Sequence, residues 1–529
     1  MAFTFQVNND VEFNHDKYLL AKADENTPGL YHEVKIPTQI VSTTNDTSQL
    51  DGVGIQKIAD ISELPNMELG RDDKVILDFG NHFVGRFSTN IKSVGSPMDA
   101  PLTLKIKFAE LPTELNQHSE DYQGWLSKSW MQEELIHIDE LPTKLDLARR
   151  YSFRYVEISV IDTSPKWKVI FDNPTIITES SVDIANWKMS DLQLKDVQLD
   201  KIYQVGVKTL ADCMQNVFED GPKRDRRLWI GDLRLQALSN YATFSDLTLV
   251  KRCMYLFGGM AAKDGRIPAN VFVKPEYTPD DTFLLDYSLF FIGILDNYMQ
   301  QTKDTAVLTD LYPVAKRQME YLINHFINSD GSVKFDEDYP VFIDWSNDFD
   351  KDTAGVAIII YSIKQFINLM ELQHDADLKQ YQSVLLKIVA YAKKELFDTE
   401  TGFFVSGTDK EINIASQVWM VLANILDKNE NQQLMQRTVH DLFPIKGIAT
   451  PYMYHHITEA LFEADMTDEA VSLLKSYWGK MVDLGADTFW EAFNPDDPSY
   501  SPYGSSMVNS YCHAWSCTPV YLIKKYLNQ

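Results

Sequence analysis

The sequence predicts two domains of different texture: an N-terminal β-sandwich over residues 1–185, followed by an (α/α)6 barrel over 186–529. Three observations carry that expectation. Short β-branched and aromatic runs, each bounded by turn residues, fill the first part of the chain. From about residue 190 the apolar period lengthens from two to between three and four, the mark of amphipathic helices. The helical part then divides into about twelve segments, six antiparallel pairs of about 55 residues each, which suits six hairpins closing into a toroid.

In the first domain the runs lie at 74–79, 87–91, 102–108, 134–138, 155–161 and 166–171, with Gly80, Gly85, Pro97, Pro101, Pro112, Pro142 and Pro165 between them. Alternation is clearest in Leu102-Thr-Leu-Lys-Ile-Lys-Phe108, apolar on one face and polar on the other. Several short strands at this spacing suggest a sandwich. In the second domain a pattern starting at Asp191 places Leu194, Val197, Ile202 and Val205 near i, i+3, i+4 spacing. Further helices are predicted over 232–247, 248–260, 283–300, 305–328, 354–373, 376–396, 412–427, 430–441, 452–463, 467–482 and 507–527. Gly- or Pro-bearing loops such as 263–268, 328–331 and 398–402 separate them, and 332–343 reads as a β-excursion.

Composition narrows the function. With 49 Lys+Arg against 76 Asp+Glu the formal net charge is −27, which argues against nucleic acid and anionic membranes as partners. No stretch approaches 18 apolar residues, the longest lying around 355–363. The N-terminus shows no basic segment followed by an apolar run, so no signal peptide is expected. The four cysteines, Cys213, Cys253, Cys512 and Cys517, have no CxxC spacing. They read as reduced thiols of a cytoplasmic protein, with neither a disulfide framework nor a zinc site. Aromatics reach 12%, more than a core requires, and suit a protein that exposes rings in a pocket.

The densest chemical feature is Glu219-Asp-Gly-Pro-Lys-Arg-Asp-Arg-Arg-Leu-Trp-Ile-Gly-Asp232. Gly-Pro stops the preceding helix and the next begins near Asp232, so this is a loop. It gathers Asp220, Asp225 and Asp232 with Arg224, Arg226 and Arg227 around Trp229. One reading is a solvated turn whose charges pair, with Asp232 as a helix N-cap. The other is a sugar site, where a ring meets the apolar sugar face and charges meet the hydroxyls. From the residues alone both stay open.

The segment Asp220–Asp232 resembles the signature loop of the bacterial α-L-rhamnosidases of glycoside hydrolase family 78. Asp78-Phe-Gly-Asn-His-Phe-Val-Gly85 and Phe153-Arg-Tyr-Val-Glu157 resemble the sandwich that precedes that catalytic domain. Phe342-Ile-Asp-Trp345, Thr488-Phe-Trp-Glu491 and His513-Ala-Trp-Ser516 follow in the family's order. The resemblance implies a six-hairpin glycosidase that removes terminal α-L-rhamnose from small glycosides or oligosaccharides with inversion at the anomeric carbon, without cofactor or metal. Carried over by position, Asp225 is the general acid and Glu491 the general base. Asp220, Arg224, Trp229, Asp232, Trp345 and His513 line the sugar subsite, and Trp490 is a further candidate for its apolar wall. The family usually places Glu where this chain has Asp225. Either the loop sits closer to the glycosidic oxygen, or the acid role is shared with or displaced to Asp232. The family's trailing β-sandwich has no counterpart before Gln529, which implies a compact variant.

Other candidates are weaker. Phe290–Phe291 could be an apolar wall or core, Asp280, Asp281 and Asp286 rim contacts or caps, and Tyr452, Tyr454, His455 and His456 a polar-aromatic cluster with no carboxylate at metal-ligand spacing. A homodimer stays open, as do a different deoxy- or uronic-acid sugar and a non-catalytic carbohydrate-binding protein.

Overall fold

The computed structural model describes residues 11–187 and 194–528; the expected helical start at Asp191 lies outside them. Nine strands build the first domain: β1 (Val34–Lys35), β2 (Gln39–Asn45), β3 (Val53–Asp60), β4 (Lys74–Gly95), β5 (Leu102–Ala109), β6 (Glu133–Ile138), β7 (Thr143–Asp146), β8 (Tyr151–Asp162) and β9 (Trp167–Thr178). The runs predicted separately at 74–79 and 87–91 are one 22-residue strand, β4. Its first half pairs with β2 and β8, its second with β7 and β9, and the register shifts between Asp78 and Phe83. Such an irregularity bends and twists a strand, so β4 serves two layers. Phe87, Phe108, Phe153, Val169 and Phe171 fill the core between them. Helix α1 (Lys17–Glu25), capped by the Asp16 carboxylate, leaves this domain and packs on the barrel helix α4 (Leu247–Gly259).

The barrel closes as six hairpins. Helices α3 (Ile230–Ala242), α5 (Leu285–Thr302), α7 (Asp352–Gln373), α9 (Ile414–Leu422), α11 (Pro451–Glu463) and α13 (Pro519–Tyr526) contact one another in turn, and α13 returns to α3. Around this inner ring lie α2 (Val197–Cys213), α4, α6 (Thr305–Phe326), α8 (Leu378–Tyr391), α10 (Lys428–Leu442) and α12 (Thr467–Asp483). Inner helices are buried nearly all round, and α5, α7 and α9 are accordingly apolar over most of their surface, while α3 and α11 bury polar residues such as Asp232, Arg234, His456 and Glu459. That explains α7: it is long and apolar enough to cross a membrane, contrary to the expectation from the sequence, yet 83% of its most apolar window is buried in the ring.

Two expected elements differ. The last helix begins at Pro519, not 507, because 507–518 is drawn against the segment before it, between two short 3-10 turns at Ser506–Val508 and Ala514–Ser516: Glu491 N–H donates to Ser510 O (3.0 Å) and His513 N–H to Phe489 O (2.9 Å). Residues 332–343 form no strand, since the Phe342 and Ile343 N–H groups bond to the Asp286 carboxylate instead of a neighbouring strand.

The connections set the polarity of the barrel. Those leading from outer to inner helices are mostly long (214–229, 260–284, 327–351, 392–413, 443–450 and 484–518), while the return turns are short. The long ones gather at the N-terminal ends of the inner helices, where backbone N–H groups and helix dipoles favour negative charge. The sandwich grips this same end. Arg154 donates to both oxygens of Asp78 (2.8 and 3.1 Å) and to Asp487 (2.8 Å). Glu110 accepts the Tyr511 N–H (2.7 Å), and Lys223 pairs with Glu114 while donating to Asn509 O (2.8 Å).

Candidate active site

The Asp220–Trp229 loop is stapled at its base: Asp220 N–H donates to Arg227 O (3.0 Å) and Arg227 N–H returns to the Asp220 carboxylate (3.0 Å). Inside the staple Asp225 and Arg226 both take left-handed backbone, with φ of 65° and 55°. Non-glycine residues pay for that conformation in strain, and Asp tolerates it better than longer side chains. The strain is held by Arg226, which donates to Arg150 O of the sandwich (2.9 Å). The turn thereby presents a short carboxylate to the barrel mouth.

The loop then enters α3, where Gly231 is required by packing: a Cβ there would lie 2.3 Å from the Tyr287 ring. Asp232 occupies the first turn of α3 and is buried. Opposite, the 484–518 connection delivers Glu491, whose carbonyl accepts the Trp515 indole N–H (2.8 Å). The Glu491 carboxylate is bonded by Arg224 and by the Tyr503 hydroxyl. The same guanidinium reaches Asp225 at 3.7 Å and lies over the Tyr503 ring at 4.1 Å. Asp225 and Glu491 therefore face one compartment.

That compartment, about 380 Å³, is floored by Tyr287, Phe342, Trp515 and His513. The rings form a nearly continuous wall: Trp229 on Tyr287 (6.3 Å), Tyr287 on Phe342 (5.4 Å), Phe342 on Trp345 (5.4 Å) and Trp345 on Tyr503 (5.5 Å). Burial, reinforced by Asp225 and Asp232, raises the Asp220 carboxyl well above the usual carboxylate range. Burial, then Glu491 and Asp225, does the same to Asp232. Burial, with Arg224 beside it, keeps His513 neutral. His513 Nδ1 lies 3.5 Å from Asp232 Oδ1, and neither atom makes a hydrogen bond to other described residues. The site thus joins two carboxyls whose burial favours the protonated form, the Arg224–Glu491 salt bridge and an apolar wall, a combination suited to a neutral sugar with one hydrophobic edge.

The chain matches the model of the glycosyl hydrolase family 78 α-rhamnosidase N-terminal domain over residues 37–178. It matches that of the bacterial α-L-rhamnosidase six-hairpin glycosidase domain over 188–527. The chain belongs to the family 78 α-L-rhamnosidases. Among solved structures it is similar to a rhamnosidase from Klebsiella oxytoca with rhamnose bound, at 41% identity and a TM-score of 0.94, covering 98% of this chain and 100% of that one. A family 78 rhamnosidase of Bacillus sp. GL1 shares the fold at 17% identity (TM-score 0.72; 89% of this chain, 49% of that one). An α-L-rhamnosidase from Streptomyces avermitilis complexed with L-rhamnose does so at 17% (TM-score 0.62; 87% and 43%). No curated protein matches.

Eight of the nine site residues expected from the sequence line the one compartment: Asp220, Arg224, Asp225, Trp229, Asp232, Trp345, Glu491 and His513. Trp490 does not. It is 1% exposed and packs between Phe493 and Tyr511, each at 5.4 Å. Along an extended segment neighbouring side chains point to opposite sides, so aiming Glu491 inward turns Trp490 away. Asp232 is not the N-cap but lies inside the first turn. Phe290 and Phe291 are core, and Asp286 holds the Phe342 and Ile343 amides. Tyr454 stacks on Tyr477, His455 meets Glu459 and His456 bonds to Arg234, all outside the compartment.

Tyr503, Tyr287, Trp125 and Trp130 line the compartment without having been singled out in the sequence. Tyr503 had a signal, the Gly- and Ser-rich aromatic stretch 499–504 between Glu491 and His513. A larger cavity of about 910 Å³ opens at the opposite end of the barrel, but none of the motif residues lines it except Arg234, which follows the loop. His82, Asp212 and Cys512 bring possible metal-binding atoms within 4.8 Å of one another. However, His82 is bonded through Nδ1 to Asp212 and through Nε2 to Ser152. Burial opposes its charge, yet Cys512, Asp212 and Glu110 push its pKa up to about 10, and a protonated imidazole has no lone pair for a metal. The cluster is part of the sandwich–barrel seam.

Proposed function

We propose that the chain hydrolyses terminal α-L-rhamnosides with inversion, Asp225 acting as general acid and Glu491 as general base. The observation that carries this is the placement of the two carboxyl groups around Arg224: Glu491 deep and ion-paired, Asp225 part-exposed at the mouth. In the reaction the glycosidic oxygen takes a proton from Asp225 as its bond to the anomeric carbon breaks. Water attacks that carbon from the opposite face while Glu491 takes one of its protons, so α-glycoside gives β-rhamnose. What supports Asp225 over Asp232 as the acid is position. The leaving group must exit through the mouth, whereas Asp232 is buried on the floor side. Asp220 and Asp232, whose burial favours the protonated form, can donate hydrogen bonds to sugar hydroxyls, and the C6 methyl fits the aromatic wall.

A cytoplasmic location is part of the same reading, supported by four free, buried thiols; cell fractionation tests it. The activity is tested by proton NMR of 4-nitrophenyl α-L-rhamnoside hydrolysis. The β-anomer should appear first; Glu491→Gln on this substrate, and Asp225→Asn on methyl α-L-rhamnoside, whose alkoxide needs a proton to leave, should each lose about a hundredfold to ten-thousandfold in kcat. Initial release of the α-anomer, or full turnover by either variant, would remove the assignment.

A further inference from the structure

The cavity of about 910 Å³ at the far end of the barrel opens where the six inner helices finish. Tyr241 of α3, Gln300 of α5, Asn368 of α7, Leu422 of α9, Glu463 of α11 and Tyr526 of α13 all border it. Helix C-termini carry partial negative charge, so six of them converging on one space favour a cation there.

One carboxylate in this cavity has no counter-charge. Asp296 of α5 is 2% exposed and borders the space. Its Oδ2 accepts from the Gln300 amide (2.9 Å) and the Asn368 amide (3.3 Å), which fix the group from α5 and α7. Its Oδ1 makes no hydrogen bond, and the carboxylate no ion pair, to any described residue. Burial raises its pKa to about 6, so it is charged at neutral pH. The cations lining the cavity are committed elsewhere. Lys525 pairs with Glu459 and Glu463, Lys428 pairs with Asp465, and Arg234 donates to His456 and Tyr361. Lys524 stands on α13, whose neighbours in the ring are α3 and α11, not α5. A charge taken out of water without a partner is costly, so this carboxylate gains from a cation brought in from solution.

The residues around Asp296 define what body that cation has. Tyr241 and Tyr361 border the cavity from α3 and α7, the helices on either side of α5, and their rings favour a positive group. Asn297, Gln301 and Gln365 add carboxamides, which both donate and accept and so match hydroxyls. We propose that this cavity is a second, non-catalytic site that binds a small hydroxylated organic cation, an amino alcohol or amino sugar, by its ammonium group on Asp296. The site stands apart from the rhamnosidase reading, because no residue of the catalytic compartment borders it.

Calorimetric titration of the full chain with D-glucosamine at neutral pH tests this, and D-glucose, with a hydroxyl in place of the ammonium, is the comparison. D-Glucosamine should bind, and D-glucose at least about tenfold more weakly, as a charge-assisted hydrogen bond requires. Asp296→Asn keeps the shape and removes the charge. It should weaken D-glucosamine at least about tenfold, while hydrolysis of 4-nitrophenyl α-L-rhamnoside stays within about twofold of wild type. If that variant does not fold, the two sugars on the wild type still decide the matter. No heat from D-glucosamine at about 10 mM overturns the site. Equal affinity for D-glucose overturns the cation, leaving a neutral polyol site. An unchanged D-glucosamine affinity in folded Asp296→Asn places the binding elsewhere and overturns the assignment to this cavity.

Discussion

Removing a single oxygen tests how Glu491 is held. In Tyr503→Phe the ring keeps its packing against Trp345 and under the Arg224 guanidinium, but the hydroxyl bonded to the Glu491 carboxylate is gone. A hydrogen bond to a charged acceptor contributes about 1.5–3 kcal/mol, a factor of about 10–150 at 25 °C. Glu491 keeps Arg224 as a second partner, so the loss should sit toward the lower end, about 10–30-fold in kcat. KM should change less than threefold, because Tyr503 orients the base rather than binding the glycone alone. Steady-state kinetics on 4-nitrophenyl α-L-rhamnoside, with the thermal midpoint as a folding control, measure both. If kcat is retained within twofold in a folded variant, or the whole effect falls on KM, Tyr503 does not position the base and the reasoning fails.

Other expectations follow from the same geometry. Trp490→Phe should cost about 2 kcal/mol of stability through lost packing while leaving KM within twofold, since this ring lies behind the catalytic segment; a large KM effect would return it to the sugar site. Arg154→Met strips the buried Asp78 carboxylate of its cation, at about 3 kcal/mol, and frees Asp487 next to the Glu491 segment. Both the unfolding midpoint and kcat should drop, and an unchanged kcat would uncouple the sandwich from the base. Asp232 has a folded-state pKa above its unfolded value of about 3.9. Its stabilising contribution is therefore complete at low pH and is lost as pH rises through the folded value. Urea midpoints from pH 5 to 8 should fall more steeply for the wild type than for Asp232→Asn, and parallel curves would contradict the burial argument.

The helical architecture was legible because each buried helix leaves a 3.6-residue apolar pattern, and all twelve predicted barrel helices have counterparts. Boundaries failed where tertiary contacts replaced local preference, as at 507–518, where only two short 3-10 turns form and the backbone of Ser510 and His513 bonds to Glu491 and Phe489. Gly80 and Gly85 read as turn residues that divide β4, while in the sheet the strand runs on with its register shifted between Asp78 and Phe83. Site residues within ordered motifs were legible from those motifs. Trp490 was not separable from Glu491, since adjacency in a motif does not say which side chain faces inward. Trp125 belongs to a loop more than 350 residues away in sequence from Glu491, and no local pattern says that it reaches across a domain boundary.

The grip of the sandwich on the barrel mouth bears on how far the two halves can be treated as interchangeable modules. Lys223 sits within the signature loop, is 1% exposed, and finds its counter-charges in Glu114 and Glu110 on the other domain. A chimera joining this barrel to a foreign sheet domain would strand that ammonium in a site without solvent. The Asp220–Trp229 loop therefore carries half of a charge balance whose other half is encoded upstream. Any redesign of this loop has to begin from both domains together.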